Sequence, residues 1–93
     1  MGIITQRYVA DYEGHPIELV RNALAKTLTL RIDNRRAARA SCALPRTITL
    51  TGSLEHQGMR HTVTCTSLAH LRSLSREESI AVDGVVIART KTL

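Results

Sequence analysis

The stretch that decides the fold is Ile80-Ala81-Val82-Asp83-Gly84-Val85-Val86-Ile87-Ala88, two apolar runs joined by Asp-Gly. Asp-Gly between such runs is a strong hairpin signal, because a type I′ turn needs φ > 0 at both central residues and glycine accepts this without steric cost. A weaker copy, Leu30-Arg31-Ile32-Asp33-Asn34-Arg35-Arg36-Ala37-Ala38, lies fifty residues earlier. The chain is therefore predicted to use β-hairpins twice.

Alternating apolar and polar residues predict further strands around these hairpins. Strands are expected over 6–12, 15–20, 27–32, 47–51 and 61–66. In a strand every second side chain points to the same face, so each segment can bury one face and leave the other in water. Leucine, isoleucine, valine and one cysteine supply the buried face, and threonine supplies much of the outer face.

The connection after the second predicted strand is expected over Arg21 to Ala25, with Asn22 as its turn residue. A helix over 17–28 is the second interpretation of this region, and it lacks capping residues. Proline has no N–H for a sheet ladder, so the strand that contains Pro16 begins there or lies at an edge. Edge positions are also expected for the Tyr8–Tyr12 and Arg36–Arg39 strands.

Residues 68–78 break the alternation. Leu68, Leu71 and Leu74 recur at a spacing of three, which is typical of a helix. Ser75 and Glu78 have the spacing of a capping box. The pattern predicts one short helix near 68–78.

The whole chain, 1–93, is predicted to be a single β domain made of two half-repeats, about 6–41 and 46–90. Each half contains a turn glycine, Gly14 or Gly58, whose third and fifth following residues are expected to face inward. About eight short antiparallel strands close most easily as a small all-β sandwich or flattened barrel.

This half-repeat arrangement resembles the β-sandwich of the Fas apoptotic inhibitory molecule type. The segments that carry the resemblance are 12–19, 27–33 and 80–84, strand-and-turn patterns that cover about half of the chain. The resemblance implies a non-enzymatic cytoplasmic β domain that acts through protein contacts. The chain departs from that pattern because it contains no Trp and no Phe.

The composition excludes several classes of protein. The core must be aliphatic, since Tyr8 and Tyr12 are the only aromatic residues of the Phe, Trp and Tyr types. No apolar run approaches the roughly 20 residues of a membrane span, and the N-terminus is too polar for a signal peptide. We therefore expect a cytoplasmic protein without membrane contact. Cys42 and Cys65 are expected to be thiols, with a single bridge as the open alternative.

The basic residues form one local cluster. The net charge is +5, from 13 Lys and Arg against 8 Asp and Glu, which favours an anionic partner. A two-residue turn at 33–34 places Arg31 opposite Arg36, and like charges in such a pair repel. The same register puts Arg35 and Arg39 on the buried side, and a bulge or a longer loop would relieve both problems. These four arginines are therefore candidate binding residues.

No metal, cofactor or catalytic site is predicted. His61 and Cys65 share a strand face, but four residues of strand separate them by roughly 13 Å, too far for one ion. Nucleophile, phosphate-loop and zinc-protease motifs are absent from the sequence. We expect a protein that is not an enzyme and holds no cofactor.

The predicted function is protein binding by a non-enzymatic β module, with Tyr8, Tyr12 and the four arginines as candidate contact residues. The partner is expected to be another protein, one with an acidic surface, and edge strands could also pair two copies into a homodimer. A narrower version is a small inhibitor of a larger assembly, of the phage anti-defence or anti-CRISPR type. The alternative is a basic module that binds nucleic acid or another polyanion.

Overall fold

The structure, a computed structural model, describes residues 5–22, 24–41, 47–70 and 75–92. Consecutive strands pair into two four-stranded antiparallel sheets, β1-β2-β3-β4 and β5-β6-β7-β8. The prediction of an antiparallel all-β sandwich of about eight strands is confirmed. The strands are β1 (Thr5–Tyr12), β2 (His15–Asn22), β3 (Thr27–Ile32), β4 (Arg35–Ser41), β5 (Ile48–His56), β6 (Met59–His70), β7 (Ser75–Val82) and β8 (Val85–Thr92).

The hairpin turns share one backbone conformation. Asp33 and Asn34 have φ of 54° and 64°, and Asp83 and Gly84 have φ of 51° and 84°. Both central residues are thus left-handed, as a type I′ turn requires. The Asp33 amide donates to the carbonyl oxygen of Pro16, and the Asp83 amide donates to the carbonyl oxygen of Thr62. The two predicted reversals are therefore confirmed.

The two Asp-containing hairpins also share a β-bulge. Arg31 pairs with Arg36 and Leu30 with Ala38, so Ala37 is an extra residue in β4. In the second sheet Ala81 pairs with Val86 and Ile80 with Ala88, so Ile87 is the extra residue. Residues fifty apart are therefore structurally equivalent from Leu28/Glu78 to Arg39/Arg89.

The bulge removes one of the predicted difficulties of the arginines, the placement of Arg39 on the buried side. The two-residue turn does place Arg31 opposite Arg36. Beyond the bulge, Ala38 and Ala40 face the core, and Arg39 lies opposite Thr29 and is exposed. One extra residue thus moves Arg39 to the outer face, while Arg35 stays opposite Ile32 at the rim.

The core lies between the two sheets and is aliphatic, as the composition predicts. It contains alternate residues of the strands, with Tyr8, Tyr12 and three alanines packed at its margin. The buried apolar residues are Ala10, Ile17, Leu19, Leu28, Leu30, Ile32, Ile48, Leu50, Leu54, Val63, Cys65, Ile80 and Val82.

The register of the paired strands shows that the two half-repeats do not align on their turn glycines, Gly14 and Gly58. Ile17 pairs with Ile32 and Val63 pairs with Val82, so Ile17 corresponds to Val63. His15 and His61 are therefore equivalent, although His15 directly follows its turn glycine. The first two residues of β6 have no counterpart in β2.

Two predictions of local secondary structure are wrong. In place of a helix near 68–78, β6 continues to His70 and β7 starts at Ser75; residues 71–74 lie outside the described residues. Strand pairing satisfies the backbone hydrogen-bonding groups along each ladder. The stabilisation from this pairing outweighs the helical preference indicated by a leucine spacing of three. The expected connection at Arg21 is also strand, since β2 runs to Asn22.

The edge strands are β1 and β4 in the first sheet and β5 and β8 in the second. The expectation that the Pro16 strand is an edge is wrong, because β2 pairs with both β1 and β3. Pro16 is tolerated as the second residue of β2, where its missing N–H removes only one bond of the ladder. The edge positions of β1 and β4 are confirmed.

The sandwich has a closed side and an open side. On the closed side β5 packs closely on β4 and β3, whereas on the open side β1 comes near β8 over a shorter stretch. Gly52 allows the close approach, because a Cβ there would lie 2.8 Å from Ile32 Cδ1 and 2.9 Å from Ala37 Cβ. The equivalent open-side residues, Ala10 and Ile87, are larger.

Candidate functional site

The open side exposes an apolar edge at the start of β8. Val85, Val86 and Ile87 are 66%, 46% and 37% exposed. Their equivalents in β4 are Arg35, Arg36 and Ala37. An edge strand has a row of backbone N–H and C=O groups without a strand partner, and charges along it normally discourage further pairing. The first three residues of β8 lack such charges; we call them the β8 edge.

Among the described residues, three cavities border β8. One of about 170 Å³ opens between β1 and β8 on the inner face of the second sheet. Another, of about 350 Å³, follows Val86 to Arg89 along the edge itself. The third, of about 150 Å³, lies on the outer face beside Leu68 and Glu77. Arg89 borders all three cavities.

The inner cavity, which we call the Glu78 cavity, combines apolar walls with a buried carboxylate. Glu78 is 1% exposed. Its Oε1 accepts a hydrogen bond of 2.8 Å from Arg21 Nη2, and the same nitrogen donates to Ser67 Oγ at 2.9 Å. The lining residues are Tyr8, Val9, Glu78, Ile80, Ala88 and Arg89.

The ion pair leaves two buried polar atoms unsatisfied. Among the described residues, nothing donates to Glu78 Oε2 and nothing accepts from Arg21 Nε. Burial raises the pKa of the Glu78 carboxyl, against the opposing effects of the Arg21 charge and the Ser67 hydrogen bond. Unsatisfied buried groups are unusual in native proteins and call for a physical explanation.

The four predicted binding arginines make different contacts within the β3–β4 hairpin. Arg31 Nη2 donates to the Asn34 carbonyl at 2.8 Å. Arg39 Nε donates to Thr29 Oγ1 at 3.4 Å. Arg35 and Arg36 remain exposed near the turn, without an ion pair to any residue in the described part of the chain.

Arg35 and Arg36 instead meet a third arginine in a groove on the closed side. This groove of about 660 Å³ is bordered by both residues and by Arg60. Glu55 also borders the groove, and its Oε1 lies 3.6 Å from Arg60 Nη2. Both side chains of that pair are largely exposed, so it is weak. The basic groove was not predicted, because Arg60 is distant in sequence.

The two predicted tyrosines lie at different sites. Tyr8 lines the Glu78 cavity, and its hydroxyl donates to Gln6 Oε1 at 3.3 Å. Tyr12 belongs to a cluster of rings at the end of the sandwich, 5.2 Å from the ring of His61 and 6.5 Å from that of His56 between centroids. Of the two tyrosines, only Tyr8 therefore lines the Glu78 cavity.

The ring cluster contains two equivalent His–Asp pairs. Nδ1 of His15 lies 2.8 Å from Asp33 Oδ1, and Nδ1 of His61 lies 2.6 Å from Asp83 Oδ2. His15 Nε2 is also 3.3 Å from His56 Nδ1. Hydrogen bonds from His61 and from the backbone hold the pKa of Asp83 below its ordinary value. The pairs tie each turn to the neighbouring strand.

No other chemistry is assembled in the described residues. They contain no group of three or more His, Cys, Asp or Glu side chains placed to hold a metal ion. Cys65 is a free, buried thiol, and burial raises its pKa to about 12. Cys42 lies outside the described residues. Within those residues, no helix has the length and apolar character needed to cross a membrane.

Sequence reasoning missed Glu78, Arg21 and the β8 edge as site residues. A signal for Glu78 was present, because aligning the hairpins on Asp33 and Asp83 puts it at the position of core residue Leu28. The helix predicted near 68–78 concealed that correspondence. The role of Arg21 depends on contact between the two sheets and has no local signal.

Comparison with protein-family models, curated proteins and solved structures finds no match to this chain. The resemblance to the Fas apoptotic inhibitory molecule type stays a prediction.

Proposed function

We propose that this chain is a non-enzymatic protein-binding module that takes up an extended segment of another protein as an additional strand on β8. The observation that supports this proposal is the exposed apolar β8 edge at Val85, Val86 and Ile87, which is followed directly by Ala88 and Arg89. Both of these residues border the inner cavity, and Arg89 also borders the outer one. Strand addition combines backbone hydrogen bonds, which provide affinity, with side-chain pockets, which provide specificity.

The other edge strands are less suited to accept a strand. Arg35 and Arg36 place two charges at the start of β4, where β8 has Val85 and Val86. On β1, Arg7 Nε lies 3.0 Å from Glu18 Oε2, so that edge carries an ion pair. The β5 edge packs against β4 on the closed side. Charge and packing thus leave β8 as the favoured edge.

The surroundings of β8 define the chemistry of the segment. Side chains of an added strand alternate between the two faces, where the cavities of about 170 and 150 Å³ lie. Arg89 makes no ion pair with the described residues, so an acidic side chain in the segment would complement it. The partner segment is therefore apolar with an acidic residue, and the net charge of +5 disfavours a second copy.

A module that offers one strand edge acts by occupying a surface of its partner. The narrower form of the proposal is a small inhibitor of a larger protein assembly, of the anti-defence type. Its contact would cover an edge or a flexible segment of that assembly.

The test uses extended peptides selected from a displayed random library, with binding mapped by amide NMR. We expect the selected peptides to shift the amides of β8 and slow their hydrogen exchange. Val86→Lys should weaken peptide binding at least tenfold, because it places a charge on the edge. Thr49→Lys is the matched control, since Thr49 is an exposed residue of the edge strand β5 and gains the same charge.

Two results would overturn strand addition at β8. One is peptide binding that shifts β1, β4 or β5 amides and is unchanged in Val86→Lys. The other is a concentration-dependent dimer in sedimentation that Val86→Lys abolishes, which would assign the edge to a second copy.

A second candidate function rests on the basic groove of the closed side, where Arg35, Arg36 and Arg60 meet. Three arginines from two strands favour binding of a polyanion through phosphate contacts. With single-stranded oligonucleotide as probe, this function predicts an affinity that falls steeply with salt. The double variant Arg35→Gln/Arg36→Gln should flatten that slope, whereas a slope unchanged in the variant would exclude the groove.

A further inference from the structure

We infer that the Glu78 cavity is a pocket for a phenol ring, supplied by a tyrosine of the segment that β8 takes up. The inference rests on the proposed function, because the ring is assigned to the added strand. The cavity, the unsatisfied carboxylate oxygen and the position beside β8 each contribute an independent argument.

The buried carboxylate indicates what the ligand must donate. Glu78 Oε1 is held by Arg21, while Oε2 has no donor among the described residues. A buried acceptor without a donor loses its hydration and gains nothing in return. Oε2 is itself buried, so an O–H group in the cavity would complete the carboxylate once the Glu78 side chain turns towards the ligand. The O–H···O⁻ hydrogen bonds formed in this way are among the stronger ones.

The charges around the cavity favour a neutral donor over a cation. Arg21 already neutralises Glu78, and Arg89 adds a second positive charge at the cavity wall. An incoming ammonium or guanidinium group would meet two arginines and one carboxylate. A hydroxyl can donate its proton without that repulsion.

The size and walls of the cavity match a six-membered ring. Its volume is about 170 Å³, and an apolar cavity of about 150 Å³ is large enough to bind benzene. Ile80, Ala88, Val9 and the ring of Tyr8 supply apolar surface around Glu78. Apolar walls with one hydrogen-bonding group suit a phenol, in which an apolar ring carries a single hydroxyl.

The position of the cavity identifies the source of the ring. Ala88 of β8 borders it on the inner face, and the neighbouring Arg89 also contributes to its lining. A strand beside β8 sends every second side chain towards that face. The two tyrosines of this chain do not fill the space, because Tyr8 forms a wall and Tyr12 lies in the ring cluster. The ring therefore comes from the partner.

The experiment titrates the full chain with phenol and with toluene, which has a similar shape but no hydroxyl. Methyl NMR signals of Ile80 and Ala88 report occupancy. We expect phenol to bind at least tenfold more tightly, because only phenol donates to Glu78 Oε2. Equal affinities, or no binding of phenol, would mean that solvent satisfies the carboxylate and would overturn the inference.

A cavity-filling variant tests the location without removing the ion pair. Ala88→Val should abolish the phenol response, because two added methyl groups occupy the cavity. Ala38→Val is the matched control, since Ala38 is the equivalent residue of the other hairpin and should leave phenol affinity unchanged. Phenol binding that survives Ala88→Val would place the ligand elsewhere and overturn the inference.

A peptide comparison separates this inference from the proposed function. Replacing tyrosine by phenylalanine in a selected peptide should lower affinity about tenfold while the β8 amide shifts remain. If peptides add to β8 without any tyrosine preference, the inference fails and the proposed function stands. If phenol binds selectively but no peptide shifts β8, the pocket exists and the proposed function fails.

Discussion

The hairpins β3–β4 and β7–β8 have the same backbone and opposite edges. Both have an Asp at the first position of a type I′ turn, and both have a bulge at the third residue after the turn, Ala37 or Ile87. The residues at the equivalent edge positions are Arg-Arg-Ala in β4 and Val-Val-Ile in β8. Identical geometry thus gives one edge that is charged and one that is apolar.

The difference shows that side chains, not topology, determine which side of the sandwich stays open. The small side chain of Ala37 lies close to Gly52 and lets β5 approach, whereas its equivalent on the open side is the larger Ile87. The pair of small residues closes one side and the larger pair leaves a gap on the other. The proposed strand addition takes place on the open side, where β1 and β8 do not pack closely.

The interiors of the two hairpins differ as well. Leu28 is a core residue of β3, and its equivalent in β7 is Glu78, which is also buried. The ion pair with Arg21 crosses from one sheet to the other. The second hairpin therefore carries a buried charge at the position where the first carries an aliphatic side chain, next to the open side.

The largest expected effect comes from breaking this ion pair. Arg21→Met should lower the free energy of unfolding by about 3–5 kcal/mol, because the Glu78 carboxyl loses its buried partner. The double variant Arg21→Met/Glu78→Leu makes the second hairpin resemble the first and should recover most of that loss. Urea denaturation of both variants measures it, and an equal loss in the two would contradict the assignment.

The part of the fold that sequence could predict depends on local signals. Asp83-Gly84 and the alternation of Thr27 to Ile32 specify turn and strand from neighbouring residues alone. The repeat at an offset of fifty followed from the same signals. The register problem of Arg39 predicted either a bulge or a longer loop, and the structure has the bulge.

The candidate site was less accessible because it is made of contacts between distant residues. Arg21 meets Glu78 across the two sheets, and Arg60 joins Arg35 in the groove only through packing of β4 on β5. The leucine spacing near 68–78 indicated a helix, since sequence spacing does not reveal that a segment will be paired on both sides. Long-range pairing decided that region.

A smaller effect is expected from filling the closed side. Gly52→Ala should lower the free energy of unfolding by about 1–3 kcal/mol, because the added methyl group would overlap Ile32 and Ala37. The reciprocal control Ala10→Gly, at the equivalent open-side position, should cost only about 0.5–1 kcal/mol, the usual penalty for glycine within a strand. Thermal and urea unfolding compare the two, and equal costs would contradict the difference between the sides.

The smallest expected effect on stability concerns the two turn aspartates, Asp33 and Asp83, which accept different sets of hydrogen bonds. Asp83 accepts from His61 and from the Thr62 amide at 2.9 Å, whereas the residue equivalent to Thr62 is Pro16, which has no N–H to offer Asp33. The bonds to His61 and Thr62 lower the pKa of Asp83 from its ordinary 3.8.

A carboxyl whose pKa is lowered on folding stabilises the fold above its ordinary pKa, and this stabilisation is lost as the pH falls through the lowered value. Asp83→Asn should therefore be less stable than the parent chain near neutral pH, and the difference should shrink below pH 3.8. Urea midpoints across this pH range measure the effect. Asp11→Asn is the control, because Asp11 is exposed and makes no ion pair with the described residues, and its curve should parallel that of the parent. A pH-independent loss in Asp83→Asn would mean that the turn depends on the shape of the side chain and not on its charge.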